Sequence, residues 1–186
     1  VLKPLKVVIE NFPEGKIEWL PALNNPNSDK QEQREIPFSR EIWIEEDDFM
    51  EEPSKKFFRL APGKEVRLRY AFFVTCNAVI KDEDGEIVEL RCSYDPETRG
   101  GNAPDGRKVK GTIHWVSAEH AKDAEVRIYN SFYNTPSPGR ERDFIEDINP
   151  NSLEVLENCK IEPDLITLDD NVPIQFERLG YFYKDP

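Results

Sequence analysis

Cysteine and histidine are scarce in this sequence of 186 residues, which contains three Cys and two His. The cysteines, Cys76, Cys92 and Cys159, are too widely spaced for a disulfide framework and favour a reducing compartment. A zinc site needs Cys or His ligands in close pairs, and neither CxxC nor HxxxH occurs. We therefore expect no metal ion in this chain, and we expect its cysteines to be buried.

Long hydrophobic runs are also missing, since no run approaches the ~18 apolar residues of a membrane-spanning helix. The N-terminal stretch VLKPLKVVIE lacks the apolar segment and the cleavage site of a signal peptide. These absences predict a cytoplasmic protein without a membrane partner. The sequence starts without a methionine and directly in a strand pattern, so we expect it to be a piece of a longer protein.

Motifs for catalysis and phosphate binding are absent as well. The glycine-rich motifs GxGxxG and GxxxxGK(S/T) do not occur, and neither does the nucleophile motif GxSxG. His114 and Ser117 lie on one predicted strand, where neighbouring positions seldom hold a nucleophile and its base in productive geometry. We therefore assign no catalytic residue to this chain.

Charge is abundant and unevenly distributed. The formal net charge is -12, yet residues 55–69 carry six cations and one acid. Residues 99–110 carry four cations and one acid, whereas residues 141–170 carry ten acids and two cations. This pattern is compatible with a basic groove on an acidic body.

Apolar residues alternate at period two in short segments, with turn signals roughly every 8–12 residues, which predicts a succession of short strands. No helix-period segment reaches ~12 residues, which argues against a doubly wound α/β fold. The sequence therefore predicts an all-β protein. About twelve strands are better divided between two small β-barrels than placed in one.

The clearest strand pattern covers residues 66–74, and Asp84-Gly85 is a strong hairpin signal between two short apolar runs. Residues 46–50 and 143–148 are each compatible with a single helical turn. Later strands are predicted at residues 124–129, 152–157, 166–168 and 174–183. The expected inward-facing side chains of residues 35–45 are Ile36, Phe38, Ile42 and Ile44.

The stretch of residues 94–117 combines a loop rich in Gly, Pro and Asn with a β-branched, aromatic strand pattern. The loop is locally positive, whereas the net charge of the protein is negative. Residues 67–73 supply a second basic and aromatic surface. Cationic grooves with stacking faces bind single-stranded RNA. The alternative is a solubilising surface loop without a ligand.

Five motifs along the chain are specific enough to compare with known families. They are VIEN (8–11), IPFSREIWIEEDDF (36–49), GKEVRLR (63–69), YDPETRGGNAPDGRKVKGTIHWVSAEHA (94–121) and QFERLGYF (175–182). Together they closely resemble the C-terminal, anticodon-binding region of glutaminyl-tRNA synthetases, from the first residues to the last. Archaeal and eukaryotic-type glutamyl-tRNA synthetases share this region but match the motifs less well.

The resemblance implies two β-barrels, a proximal one and a distal one, with the chain passing from the first to the second and back. The proximal barrel would comprise residues 1–75 and return strands at residues 166–186. The distal barrel would comprise residues 76–165.

The resemblance also implies a site for unstacked anticodon bases. Arg40, Gln175 and Arg178 match the family positions that line the pocket for the middle base, a uridine. A uracil edge offers two acceptor oxygens and one N–H, which an amide and guanidinium groups satisfy. The loop cations that would contact the flanking nucleotides and phosphates are Arg99, Arg107, Lys108 and Lys110.

The HIGH-type and KMSKS-type motifs of class I active sites are absent, so the resemblance implies no catalytic site and no cofactor in this chain. The parent would be a monomeric glutamine–tRNA ligase whose upstream catalytic domain attaches glutamine to tRNA-Gln with ATP and Mg²⁺. Two alternatives stay open: the equivalent region of a glutamyl-tRNA synthetase, and a free-standing β-barrel adaptor that binds RNA or a protein.

Overall fold

The structure is a computed structural model that describes residues 1–185. Within these residues the chain forms thirteen strands and four short 3-10 helices. The strands are β1 Pro4–Ile9, β2 Glu18–Leu23, β3 Gln33–Phe38, β4 Glu41–Glu45, β5 Glu65–Leu68, β6 Phe73–Lys81, β7 Ile87–Asp95, β8 Thr112–Ile113, β9 Trp115–Ser117, β10 Lys122–Tyr129, β11 Leu153–Ile161, β12 Ile174–Phe176 and β13 Gly180–Phe182. The 3-10 helices are Glu46–Asp48, Pro96–Thr98, Phe144–Asp147 and Pro163–Thr167. The predicted all-β class is confirmed.

Seven of the strands form one sheet, in the order β8-β5-β6-β7-β1-β4-β9. Its two edge strands, β8 and β9, are consecutive in the chain and are separated by His114 alone. A sheet whose first and last strands are joined by one residue has to curl until its edges meet, because the chain cannot reach further. The sheet is therefore barrel-like, and His114 lies at its seam.

Three smaller antiparallel sheets accompany the curled sheet, each with two strands: β2 with β3, β10 with β11, and β12 with β13. The β10–β11 pair is the longest of them, with a register shift between Ala124 and Val126. A barrel-like sheet with further small sheets agrees with the expected architecture of two small β-barrels.

The predicted boundary between residues 75 and 76 falls inside β6. Strands β6, β7 and β1 are neighbours in the seven-stranded sheet, so this sheet continues across that point. The division into residues 1–75, 76–165 and 166–186 stays a prediction. Pro186, the last residue of the predicted return segment, lies outside the described residues.

The core of the curled sheet contains a cluster of aromatic rings. Phe38 is its centre, with ring centroids 5.0 Å from Phe12 and 5.1 Å from both Phe72 and Trp115. Tyr94 completes the cluster at 5.1 Å from Phe72. The four predicted inward residues of the 35–45 segment and all three cysteines are buried, as expected from the sequence.

The predicted continuous strand at residues 66–74 is wrong. β5 and β6 are two antiparallel strands joined by a tight turn, in which the Leu68 N–H donates to the Phe72 carbonyl. Tyr70 makes the turn with φ of +62°, a conformation usually left to Gly or Asn. Because period-two alternation runs through both arms and the turn contains no Gly or Pro, the sequence pattern concealed it.

The predicted strand at residues 166–168 is also wrong, because the chain forms the 3-10 helix Pro163–Thr167 there. A proline at its first turn and the Thr167 hydroxyl, which donates to the Asp164 carbonyl, favour the helical turn over an extended chain. The hairpin predicted at Asp84-Gly85 is confirmed, since β6 and β7 pair across it.

Replacing Phe38 by alanine is expected to lower the free energy of unfolding by about 3–5 kcal/mol, because four aromatic neighbours lose their shared contact and a cavity remains. Urea denaturation measures this loss. The control is Phe132→Ala, whose ring is 56% exposed and whose loss should stay near ~0.5 kcal/mol. Similar losses for the two variants would contradict the central position of Phe38.

Stability is expected to fall in mild acid because of His114. Burial at the seam lowers its pKa to about 4, with Glu162 opposing the shift and Arg34 and Arg69 adding to it. The unfolded chain has the ordinary histidine pKa of about 6.5, so it binds the proton first and gains stability as the pH falls from about 6.5 towards 4. The free energy of unfolding should drop by about 1–2 kcal/mol more between pH 7 and 5 in wild type than in His114→Gln. Parallel pH profiles of the two proteins, measured by urea denaturation, would rule this out.

Candidate nucleic-acid interface

An open cleft of about 580 Å³ brings the two cation-rich segments of the sequence together. We call it the basic cleft. Its lining residues are Asp47, Met50, Lys56, Phe57, Phe58, Arg59, Lys110, Gly111, Thr112 and Arg178. Four cations and one acid line the cleft, in a protein whose net charge is -12. Its field therefore attracts anions locally.

One wall of the basic cleft depends on a close approach of two chain segments at Gly111. A Cβ atom at this position would lie 2.0 Å from the carbonyl oxygen of Phe58. The backbone of Gly111 continues directly into β8 and accepts a hydrogen bond from the Arg67 N–H. Glycine is therefore required for residues 57–58 to pack against the edge of the curled sheet.

Aromatic faces are available beside the cations. The Phe58 side chain is 50% exposed, and the Lys110 ammonium lies 5.0 Å from the centre of its ring. Phe57 lines the same cleft. Exposed rings next to cations are the surfaces on which single-stranded nucleic acid stacks its bases and places its phosphates.

Arg178 reaches the basic cleft from the turn between β12 and β13. Its Nη2 donates to both carboxylate oxygens of Asp48, at 2.7 and 2.6 Å, and its Nη1 donates to the Thr112 carbonyl at 3.0 Å. Its backbone has φ of +65°, in the left-handed region. The guanidinium has five N–H groups, and these contacts use at most three of them, so at least two stay available for a ligand.

Arg59 is the second arginine of the basic cleft. It donates to the backbone carbonyl of Asp47 at 2.9 Å, and its Nη1 lies 3.3 Å from the carboxylate of Asp48. Asp48 itself is buried, and burial raises its pKa while the charges of Arg178 and Arg59 oppose the rise.

The four predicted loop cations have different surroundings. Arg99 donates to the Glu18 carboxylate and to the Trp19 carbonyl, which ties the loop to β2. Lys110 lines the basic cleft. Lys108 is exposed and forms no ion pair with another residue of the described chain.

Arg107 is held by three carboxylates. It donates to Glu65 through Nε and Nη2 at 3.0 Å each, to Asp95 at 2.5 Å and to Asp105 at 2.8 Å. These bonds raise the pKa of Arg107 and lower the pKa of Asp95. The arrangement ties the loop to β5 and β7, and it leaves the guanidinium little capacity for a phosphate.

The three residues predicted for the middle base are only partly brought together. Arg178 lines the basic cleft, whereas Arg40 and Gln175 do not. Arg40 lies between β3 and β4 and donates to the Phe12 carbonyl at 3.0 Å. Gln175 is exposed on β12, opposite Tyr181. The pairing of these three side chains on one base stays a prediction.

Ser117 has a histidine neighbour, but it is His120 and not His114. The Ser39 hydroxyl donates to the Glu41 carbonyl, so the Ser117 hydroxyl, 2.6 Å away, has to donate to Ser39. Ser117 then accepts from Nδ1 of His120 at 3.0 Å. A histidine that donates its proton to a serine cannot be the base that activates it, so the geometry indicates a structural chain of hydrogen bonds.

Lys56, Phe57, Phe58 and Arg59 were not singled out individually by sequence reasoning. The available signal was the excess of cations in residues 55–69, together with two adjacent phenylalanines. No period-two pattern marks this segment, and it contains no strand. Its place beside β8 follows from the closure of the sheet.

Two family models match the chain, and both are described as the anti-codon binding domain of class I tRNA synthetases (E and Q). The first covers residues 1–95 and the second covers residues 112–185. The chain therefore belongs to the anticodon-binding domains of class I tRNA synthetases. This confirms the family expected from the sequence motifs.

Three similar curated relatives share one name, which is more specific than the family description. The chain is 60% identical over 185 residues to a protein of Bradyrhizobium diazoefficiens named Glutamine--tRNA ligase. The matched region is 100% of this chain and 33% of that protein. Proteins of the same name from Nitrobacter winogradskyi and Clostridium kluyveri are 56% and 50% identical over the whole chain, which spans 33% and 34% of their lengths. The chain thus spans about a third of the relatives that it matches.

Among residues 1–185, no helix is both long and apolar enough to cross a membrane. Within the same residues, no group of three or more His, Cys, Asp or Glu side chains is arranged to hold a metal ion.

Proposed function

We propose that this chain is the anticodon-recognition module of a glutamine–tRNA ligase and that it binds unstacked anticodon bases of tRNA-Gln. The observation that carries the proposal is the basic cleft, in which the exposed Phe58 and the half-buried Phe57 share the lining with four cations in a member of an anticodon-binding family. Sequence-specific RNA recognition targets loops whose bases are splayed out, stacked on rings and read at their edges. The names of the relatives favour the glutamine enzyme over the glutamate enzyme and over a free-standing adaptor.

The middle anticodon base, a uridine, is proposed to be read by Arg40, Gln175 and Arg178. Arg178 supports this role because two of its N–H groups stay free while Asp48 and Thr112 hold the rest. A site that buries such donors rejects a base that leaves them unpaired.

The loop cations are proposed to serve the flanking nucleotides and phosphates. Lys108 is exposed, and Lys110 extends over Phe58 at the rim of the basic cleft, which suits both side chains to phosphate contact. Arg99 and Arg107 would act through the position of the loop, since each is bound to carboxylates of the protein.

The parent protein is proposed to be a cytoplasmic, monomeric ligase. Its catalytic domain, upstream of this chain, would attach glutamine to tRNA-Gln with ATP and Mg²⁺. Within the chain, the proposed division places a proximal barrel at residues 1–75 and 166–186 and a distal barrel at residues 76–165.

Arg178→Ala or Arg40→Ala in the full-length ligase is expected to weaken selection of the middle uridine by about 1–3 kcal/mol, the usual value of a base-edge contact. The measurement is kcat/KM for tRNA-Gln and for a transcript in which that uridine is replaced. Arg127→Ala, which removes an exposed arginine on β10 that pairs with Glu125, is the control. If either variant discriminates between the two transcripts as wild type does, its residue does not read the base.

Lys108→Ala should weaken tRNA binding regardless of the anticodon sequence, because a phosphate contact carries no base information. The slope of log affinity against log salt concentration should become shallower by about 0.7–0.9. Lys122→Ala, which removes an exposed lysine of β10, controls for the change in net charge. A slope for Lys108→Ala that equals the wild-type slope would exclude the contact.

A further inference from the structure

Asp48 is a buried carboxylate to which the proposed function assigns no contact with tRNA. It lies at the end of the 3-10 helix Glu46–Asp48, directly after β4, with a relative exposure of 1%. Its two oxygens accept from Arg178 at 2.6 and 2.7 Å, and one of them lies 3.3 Å from Arg59. A single buried group therefore contacts both arginines of the basic cleft.

The backbone holds Asp48 firmly in place. Its carbonyl accepts from the Leu60 N–H, and the Leu60 carbonyl accepts from the Met50 N–H. Phe49 and Leu60 form an isolated β-bridge between the same two segments. The carboxylate is thus attached to the C-terminal end of β4 and to the segment that carries Arg59.

Arg178, in contrast, is on a short turn and has a strained backbone. A φ of +65° is energetically costly for a residue with a long side chain. Such a backbone conformation persists where surrounding contacts hold the residue in place. The described side-chain contacts of Arg178 are those to Asp48 and to the Thr112 carbonyl. Asp48 accepts two of these three hydrogen bonds, and of the two partners only Asp48 carries a full charge.

We propose that Asp48 is a positioning residue that fixes the guanidinium groups of Arg178 and Arg59 and thereby sets base discrimination in the basic cleft. The inference rests on the proposed function. Asp48 holds Nη2 and the Thr112 carbonyl holds Nη1, so the two contacts together fix the plane of the Arg178 guanidinium and the direction of its remaining N–H groups. Preorganised donors discriminate between base edges, whereas mobile arginines bind any phosphate.

The charge of Asp48 opposes non-specific affinity. Its carboxylate removes one unit of positive charge from a cleft that would otherwise attract RNA more strongly. Loss of this carboxylate should therefore lower the discrimination between bases without lowering the non-specific affinity for RNA, which should stay unchanged or rise. A destabilised fold would instead lower the affinity for cognate and altered tRNA alike.

The test compares Asp48→Asn with Asp47→Asn in the full-length ligase. Asp47 is the adjacent residue, is exposed, lines the same cleft and touches Arg59 only through its backbone carbonyl. Both variants remove one negative charge, so both should steepen the salt dependence of tRNA binding similarly. The ratio of kcat/KM for tRNA-Gln to that for the transcript with a replaced middle uridine should fall at least about fivefold in Asp48→Asn alone.

A wild-type ratio in Asp48→Asn overturns the inference, and so does an equal fall in Asp47→Asn. Arg178→Ala distinguishes the proposed reading role of Arg178 from the proposed positioning role of Asp48. If Arg178→Ala lowers the ratio while Asp48→Asn does not, the reading role stands and the positioning role fails. If neither changes the ratio, both fail. In the Asp48→Asn, Arg178→Ala double variant, the fall should be smaller than the product of the single falls, and a fully multiplicative fall contradicts shared action.

A second variant covers a failure of Asp48→Asn to fold. Asp48→Glu keeps the buried charge and moves the carboxylate by one methylene, which disturbs its geometry towards Arg178 and preserves the net charge. It should lower the ratio without steepening the salt dependence. An unchanged ratio in a folded Asp48→Glu protein overturns the inference.

Discussion

The rest of the structure depends on the closure of the seven-stranded sheet at His114. Residues 112–117 supply both of its edges, so one short stretch of chain has to satisfy two sets of strand partners. On one side, β8 accepts the Arg178 side chain at its first carbonyl, and the preceding Gly111 admits Phe58. On the other side, β9 directs Trp115 into the aromatic core against Phe38. The closure that forms the core thereby forms a wall of the basic cleft.

Electrostatics separates two kinds of arginine in this protein. Arg107 is surrounded by three carboxylates and acts as a clamp between the loop and the sheet. Arg178 and Arg59 share one buried carboxylate and keep part of their donor groups at the cleft. An acidic protein can therefore hold a locally cationic surface, because its acids neutralise the structural arginines and leave the cleft arginines in excess.

Much of the fold could be predicted from the sequence because period-two alternation is a local property. The all-β class, the hairpin at Asp84-Gly85 and the burial of Ile36, Phe38, Ile42 and Ile44 are confirmed. The break between β5 and β6 could not be seen, because Tyr70 turns the chain without a glycine or proline. Alternation alone does not distinguish one long strand from two strands joined by a tight turn, since both arms keep the same period.

The sequence by itself determined the family, through motifs at residues 36–49, 94–121 and 175–182, and the two segments in which cations are concentrated. The tertiary structure alone decided which of those cations share a cleft. Lys56, Arg59, Lys110 and Arg178 come from three distant parts of the chain, and only the curling of the sheet brings them together. The same folding gives Arg107 its three carboxylates and places Arg40 against Phe12. The sequence gives the positions of the charged residues, whereas long-range strand pairing decides which of them can contact a ligand.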